Sequence, residues 1–455
     1  MKAPGILSRV HARLGDFWWY ALLMFAALRF GDVVNAFVGL WLVPKYVSPE
    51  ELGAVLPLIQ FSAFVGYPMA VLVTVFSRYL AKFRAEGDEG RIKSALHWFI
   101  GSAIAFNALA CGLSIFAMPH FFERIRVAKG SLGTLIILAG LLGPLSLVYT
   151  RALQGLKKFG AITFISLLSA PIRLGVMLVT LPIRALSGYM LGQAAAPAFC
   201  IATACFALRR NVHPAVKSVP FWLGQGREIA RYFSTVFLSL SVGSVSAFIM
   251  PLLIRQRLPE VESAAYYMIT RFAELGTYAS TALSFVMFPL ASEAHATGKD
   301  PLKLFLHTAG GSLGFGVLVS LALCLFGDFI FNLLPTCRPY VSFVPDMALL
   351  TLSLALGAAC GTFTDYEFAC GRFRFLWWNL PLTVLQTAFA VAFTGYEFFR
   401  GCLPDAAVDW MASLHVATLR NFIWMLIATS LVRLVAILLH LACRAHASRH
   451  VPSAA

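Results

Sequence analysis

Charge is what this chain has least of. Aspartate, glutamate, lysine and arginine make up 13% of its 455 residues, against about 25% in soluble domains. That deficit excludes an ordinary water-soluble protein. Acids are scarcer than bases, 21 against 36. Cysteine frameworks are missing too: the nine cysteines form no C-x-x-C pair and no metal-ligand spacing. No Walker A loop and no H-E-x-x-H helix occurs, so ATP-driven pumping by this chain alone and zinc hydrolysis are not expected. We expect a non-enzyme without a cofactor, apart from a proton or sodium ion coupled to transport.

What is abundant is apolar sequence. Hydrophobic residues make up 59% of the chain and the mean hydropathy is +0.78, the composition of a polytopic membrane protein. A spanning helix needs about 20 mostly apolar residues. Twelve such runs can be read, at 17–43, 52–79, 95–118, 131–152, 161–183, 187–208, 232–254, 264–291, 304–327, 343–370, 374–395 and 416–442. Kinks or local breaks are expected at Pro57, Pro68, Pro144, Pro171 and Pro289. The expected fold is all-α, in two six-helix bundles around a central cavity. The N-terminal half is 1–208, the connection 209–231 and the C-terminal half 232–455. A shift of 211 residues aligns Glu51 with Glu262, Ala54 with Ala265, Phe61 with Phe272 and Gly87 with Gly298, a trace of the parallel repeats found in transporters.

A net charge of +15 raises nucleic acid as a partner, but no basic patch interleaved with aromatics accompanies it. Membrane proteins instead collect Lys and Arg in cytoplasmic loops. With the N-terminus inside, 22 of the 36 basic residues fall in inner segments and 10 in outer ones. This places both termini in the cytoplasm. The first run is too long for a cleaved signal and carries Arg29 and Asp32. Six cysteines lie in apolar runs and read as small buried hydrophobes. Cys337 and Cys402 fall in two outer loops, where a disulfide between them is left open.

The informative residues are charges inside the runs. A charged side chain at the centre of a spanning helix costs about 2.5–3.5 kcal/mol on insertion scales. Arginine stays protonated there, with a pKa above about 12. Arg29 lies about 12 residues into its run, hence roughly 18 Å deep at 1.5 Å per residue. Asp32 is its neighbour three residues on, and Asn35 extends the polar arc. The pair either satisfies itself or holds Arg29 toward a cavity. In the eighth run Tyr267, Arg271, Glu274, Tyr278 and Thr281 follow helical spacing, as a cavity lining or as polar packing between helices. Arg173 has no carboxylate three or four residues away and is expected to meet an anion or an acid from another helix. Arg433 is expected to snorkel. Asp365 and Glu367 are expected at solvated helix ends, Asp32 is the strongest ion-coupling candidate, and the serines of the seventh run are expected to pack.

Three segments resemble a known family. VSPEELGAVLPLIQF (47–61) resembles a stretch after helix 1 of polysaccharide-exporting flippases. RALQGLKKFGAITFISLLSAPIRL (151–174) is similar to their helix 4–5 connection, an L-Q-G-x-x-[KR]-F pattern followed by a helix with an internal arginine. AAYYMITRFAEL (264–275) is similar to their helix 8 opening. With twelve spans, the chain resembles the multidrug/oligosaccharidyl-lipid/polysaccharide exporter superfamily, in its polysaccharide (Wzx-like) branch. The resemblance implies a cationic cavity between two bundles and alternating access that moves a polyprenyl-diphosphate-linked glycan across the cytoplasmic membrane. It makes Arg29, Arg173 and Arg271, with Glu274 and Tyr278, the substrate-binding candidates. Arginine suits that task, because its guanidinium matches phosphate oxygens bidentately. The partners it implies are the lipid-linked glycan and membrane lipids, with polysaccharide polymerase or glycosyltransferases as associates of a monomer. Two rivals stand beside it. One is a cation-coupled drug or metabolite antiporter on the same fold. The other is a membrane enzyme or scaffold of polysaccharide synthesis, using the charged outer loop around 396–415.

Overall fold

The computed structural model describes residues 27, 29–66, 86–128, 130–156, 158–209, 226–280, 300–395, 404–406, 408–409 and 418–449, with isolated positions between 69 and 83, at 219, 220 and 222, and between 283 and 294. No strand occurs among them, and the described parts of the apolar runs are helical. In chain order these are α1 (29–46), α2 (Val55–Val65), α3 (Glu89–Ile125), α4 (Leu132–Gly155), α5 (159–184), α6 (186–208), α7 (Gly226–Arg257), α8 (260–280), α9 (Leu302–Leu333), α10 (Val344–Ala369), α11 (Leu376–Gly395) and α12 (Leu419–Arg449). Cys402 and Thr281, and the kinks expected at Pro68 and Pro289, lie outside the described residues.

Seven described helices are long and apolar enough by themselves to cross a membrane. One of them, Gly160–Leu208, has 49 residues, more than twice what one crossing needs. It is α5 and α6 joined at Ala185, whose φ of 40° and ψ of −116° interrupt the helix. Pro171, Pro182 and Pro197 lie inside the same stretch and do not break it. The hairpin is tied by Thr180, whose hydroxyl donates to Gly188 O at 3.0 Å. A side chain at Gly188 would collide with the Thr180 carbonyl.

Helix ends follow their chemistry. Asp88 caps α3 by accepting from Arg91 N at 2.9 Å, and α3 ends with Arg126 in the left-handed region. Near its C-terminal end α1 widens into a π-helix over Val38–Leu42. Pro44, in the first turn beyond, has no N–H to continue the ladder.

The chain divides into two compact units. The first runs to Phe248 without Leu52–Ala54, and the second takes Leu52–Ala54 and continues from Ile249. The division falls within α7. In the first unit a core gathers Phe76, Phe83 and Phe99 with Val148, Leu153 and Ile162. In the second, Phe305, Phe363, Tyr366 and Phe375 form the equivalent centre. Lipid tails are as apolar as leucine, so helix association in a membrane relies on close packing more than on burial from water. Small residues supply the contact. Gly316 faces the Ala355 methyl, and a side chain at Gly276 would approach Thr351 Cγ2 to 2.8 Å.

Candidate functional site

In the first unit α1, α5 and α6 line a partly open cavity of about 220 Å³. From α1 and the residue just before it come Ala27, Gly31, Asp32 and Asn35. From α5 come Ser166, Ser169, Ala170 and Arg173, spaced three, four and seven residues apart on one helical face. Ala196 of α6 completes the lining. Gly31 packs beside Ala170: a methyl at that position would stand 3.8 Å from Ala170 Cβ, an ordinary contact. Asp32 Oδ2 accepts a salt bridge from Arg29 Nη1 at 3.0 Å, and both side chains are one-third exposed. The fold therefore links the Arg29–Asp32 pair with Arg173, more than 140 residues further along the chain. Asp32 and Arg173 share the cavity, and Arg29 is tied to it through Asp32.

The second unit holds the other candidates. Arg271 Nη1 pairs with Glu274 Oε2 at 3.1 Å, again three residues apart, so R-F-x-acid occurs at 29–32 and at 271–274. The helix tightens into a 3₁₀ turn over Glu274–Thr277, and Tyr278 follows that turn, half-buried. The expected polar stripe is not uniform. Tyr267 is only 1% exposed, so it does not line a cavity. It supports Arg271, whose guanidinium lies 5.3 Å from its ring centroid, a cation–π contact.

Other expectations are corrected. Arg433 does not snorkel; it donates to the Thr383 hydroxyl of α11, because a polar partner lies within reach inside the bundle. Glu367 is not solvated. It is 2% exposed and accepts from Arg444 Nη1 at 3.4 Å, and Arg444 also reaches Tyr366 Oη at 3.3 Å and Asp300 at 3.8 Å. Asp346 holds Arg420 at 2.8 Å. Glu262 accepts from Leu419 N at 2.6 Å, satisfying one of the orphan donors that begin α12. Cys337 is a buried free thiol, and burial pushes it up to about 11.

One catalytic pattern is present and is excluded by its setting. Gly310-Gly311-Ser312-Leu313-Gly314 matches G-x-S-x-G, which in hydrolases places the serine on a strand-to-helix turn. Here it lies inside α9, with Ser312 buried and bonded to Ser280. Among the described residues no cluster of His, Cys, Asp and Glu could hold a metal ion.

Asn35 was legible as part of the α1 polar arc. Ser166 and Ser169 were not singled out, although their spacing from Arg173 places all three on one face. Serine inside an apolar helix reads as packing until a neighbouring helix leaves space in front of it.

No family model matches the chain. A solved multidrug resistance MATE family transporter of the MOP superfamily, in an inward-facing conformation, superposes with a TM-score of 0.65 at 15% identity, over 95% of this chain and all of that one. The lipid II flippase MurJ in an inward closed conformation gives a TM-score of 0.60 at 12% identity, over 92% of this chain and 87% of that one. The chain thus has the fold of these multi-pass membrane transporters. In sequence the chain is 24% identical over 410 residues to the succinoglycan biosynthesis transport protein ExoT of Rhizobium meliloti (strain 1021), covering 85% of this chain and 76% of that protein.

Proposed function

We propose that the chain is a flippase that moves a polyprenyl-diphosphate-linked oligosaccharide or polysaccharide precursor across the cytoplasmic membrane by alternating access. One observation carries this reading: Arg173 and Asp32, each well inside an apolar run, line a small, partly open polar pocket of the first unit, with Arg29 paired to Asp32. Fixed cations at that depth are costly, and an anionic head group offsets the cost. The likeness to a succinoglycan biosynthesis transport protein and to a lipid II flippase supports a lipid-linked glycan as the substrate. In this reading Arg29, Arg173 and Arg271 hold the diphosphate, with Glu274 and Tyr278 orienting Arg271. Asp32 couples transport to a proton or sodium ion. The halves 1–208 and 232–455 move about the 209–231 connection, both termini are cytoplasmic, and a monomer works beside the polymerase and glycosyltransferases that make and use the glycan.

The test is leaflet translocation of a fluorescent undecaprenyl-diphosphate sugar in reconstituted liposomes. A hydrogen bond to a charged group contributes about 1.5–3 kcal/mol, so Arg173→Ala should slow translocation roughly tenfold or more. Unchanged translocation by Arg173→Ala would remove that residue from the site. A carboxylate in the cavity and the likeness to multidrug transporters favour one second reading, a cation-coupled antiporter. It requires Asp32→Asn to abolish movement of a cationic dye while Arg173→Ala leaves that movement intact.

A further inference from the structure

The cavity carries more than a phosphate site requires. A bare phosphate would use Arg173, but a carboxylate beside it repels an anion, and the amide and hydroxyls would have little to do. A lipid tail would strand every one of these groups without a partner, at a cost of about 1–3 kcal/mol each. Among the described residues no aromatic ring lines the space, so none of them offers a flat hydrophobic cation a surface to stack on. A ring of hydroxyls attached to a phosphate matches the whole set.

We propose that this cavity is the subsite for the first sugar of the lipid-linked head group, with Asn35, Ser166 and Ser169 as the residues that determine which sugar is accepted. This rests on the flippase reading above and sharpens it. Arg29 engages Asp32 through Oδ2, which leaves Oδ1 to accept from a sugar hydroxyl. The Asn35 amide both donates and accepts. Ser169 donates its own proton to Ile165 O at 2.7 Å, so its oxygen faces a ligand as an acceptor. Arg173 takes the adjoining phosphate. Size sets the limit of what is read. A volume of about 220 Å³ is below the roughly 300–1,000 Å³ of drug-sized sites. One ring fits, and the rest of the glycan is not inspected here. Every lining residue belongs to the first unit.

The experiment titrates the full chain, in nanodiscs, with inorganic phosphate and with the 1-phosphates of glucose, galactose and N-acetylglucosamine, read by calorimetry and saturation-transfer NMR. At least one sugar 1-phosphate should bind tenfold or more tighter than inorganic phosphate. Asn35→Ala and the pair Ser166→Ala/Ser169→Ala should reduce that ligand to the phosphate level, whereas Arg173→Ala should weaken both ligands. Gly31→Leu, which fills the space against Ala170, should remove the sugar preference through bulk alone. Unchanged thermal midpoints establish that each variant is folded. Equal binding of phosphate and all three sugar phosphates would overturn the sugar subsite and leave the flippase reading standing. A sugar preference untouched by the Asn35, Ser166 and Ser169 variants would place recognition elsewhere and overturn it too. No binding of any of the four would take down the diphosphate role of Arg173, and this proposal with it.

Discussion

At the scale of single residues, three ion pairs join acids and bases of the helices, each within one unit. Arg29 meets Asp32, Arg271 meets Glu274 and Arg444 meets Glu367. The first two pairs are three residues apart on one helix and could be read from spacing. The third joins residues 77 positions apart, on α10 and α12, and no local pattern announces it. Glu367 is the more exposed to error, because it is buried while its partner is one-third exposed. Arg444→Ala should lower stability by about 1–3 kcal/mol, the cost of an unsatisfied buried polar group. Adding Glu367→Gln should recover much of it. Thermal midpoints in detergent measure both, and a double variant no more stable than Arg444→Ala would show that the ion pair is not the cause.

At the scale of elements, close approach of small residues shapes the helix pairs. Gly316 of α9 abuts Ala355 of α10. Gly316→Leu should therefore destabilise the protein by about 1–3 kcal/mol through overpacking. The same change at Gly314, where a side chain would meet nothing within 4 Å, should be nearly neutral; equal losses at the two positions would refute the packing account. The α5–α6 junction makes a prediction of opposite sign. Ala185 adopts a positive φ that side chains disfavour, so Ala185→Gly should raise stability by about 1 kcal/mol. A midpoint that falls would mean the strain lies elsewhere. The division of the runs 161–183 and 187–208 fell at this break, although the prolines nearby do not make it. A proline in a membrane helix is tolerated when neighbours satisfy the freed carbonyl, whereas a chain reversal needs a residue outside helical φ and ψ.

At the scale of the whole molecule, charge distribution orients the chain. The surplus of Lys and Arg in alternate loops predicts both termini on the cytoplasmic side. Alkaline phosphatase fused after residue 128 should be active and green fluorescent protein fused after residue 455 should fluoresce. An active phosphatase at 455 would reverse the topology. The connection 209–231 belongs to the basic set, and Trp222 lies beside Trp98 of α3, with ring centroids 6.3 Å apart. Exposed tryptophans are typical of the membrane–water boundary.

Membrane residence, the number of crossings and their class are properties of composition and run length, and the sequence alone determined them. Each crossing must satisfy its own backbone hydrogen bonds in lipid, so an apolar run of about 20 residues has one local solution. The internal arginines were legible for the same reason, since a charge in such a run is an energetic exception. Tertiary structure alone decided which polar residues meet. It placed Ser166, Ser169 and Arg173 opposite Asp32 and Asn35, buried Tyr267 beneath Arg271, and drew Glu367 to Arg444. Those contacts depend on the rotation of each helix about its axis. That rotation is set by packing against neighbours distant in sequence, and lipid, being equally apolar to every face, gives the isolated helix little reason to choose one.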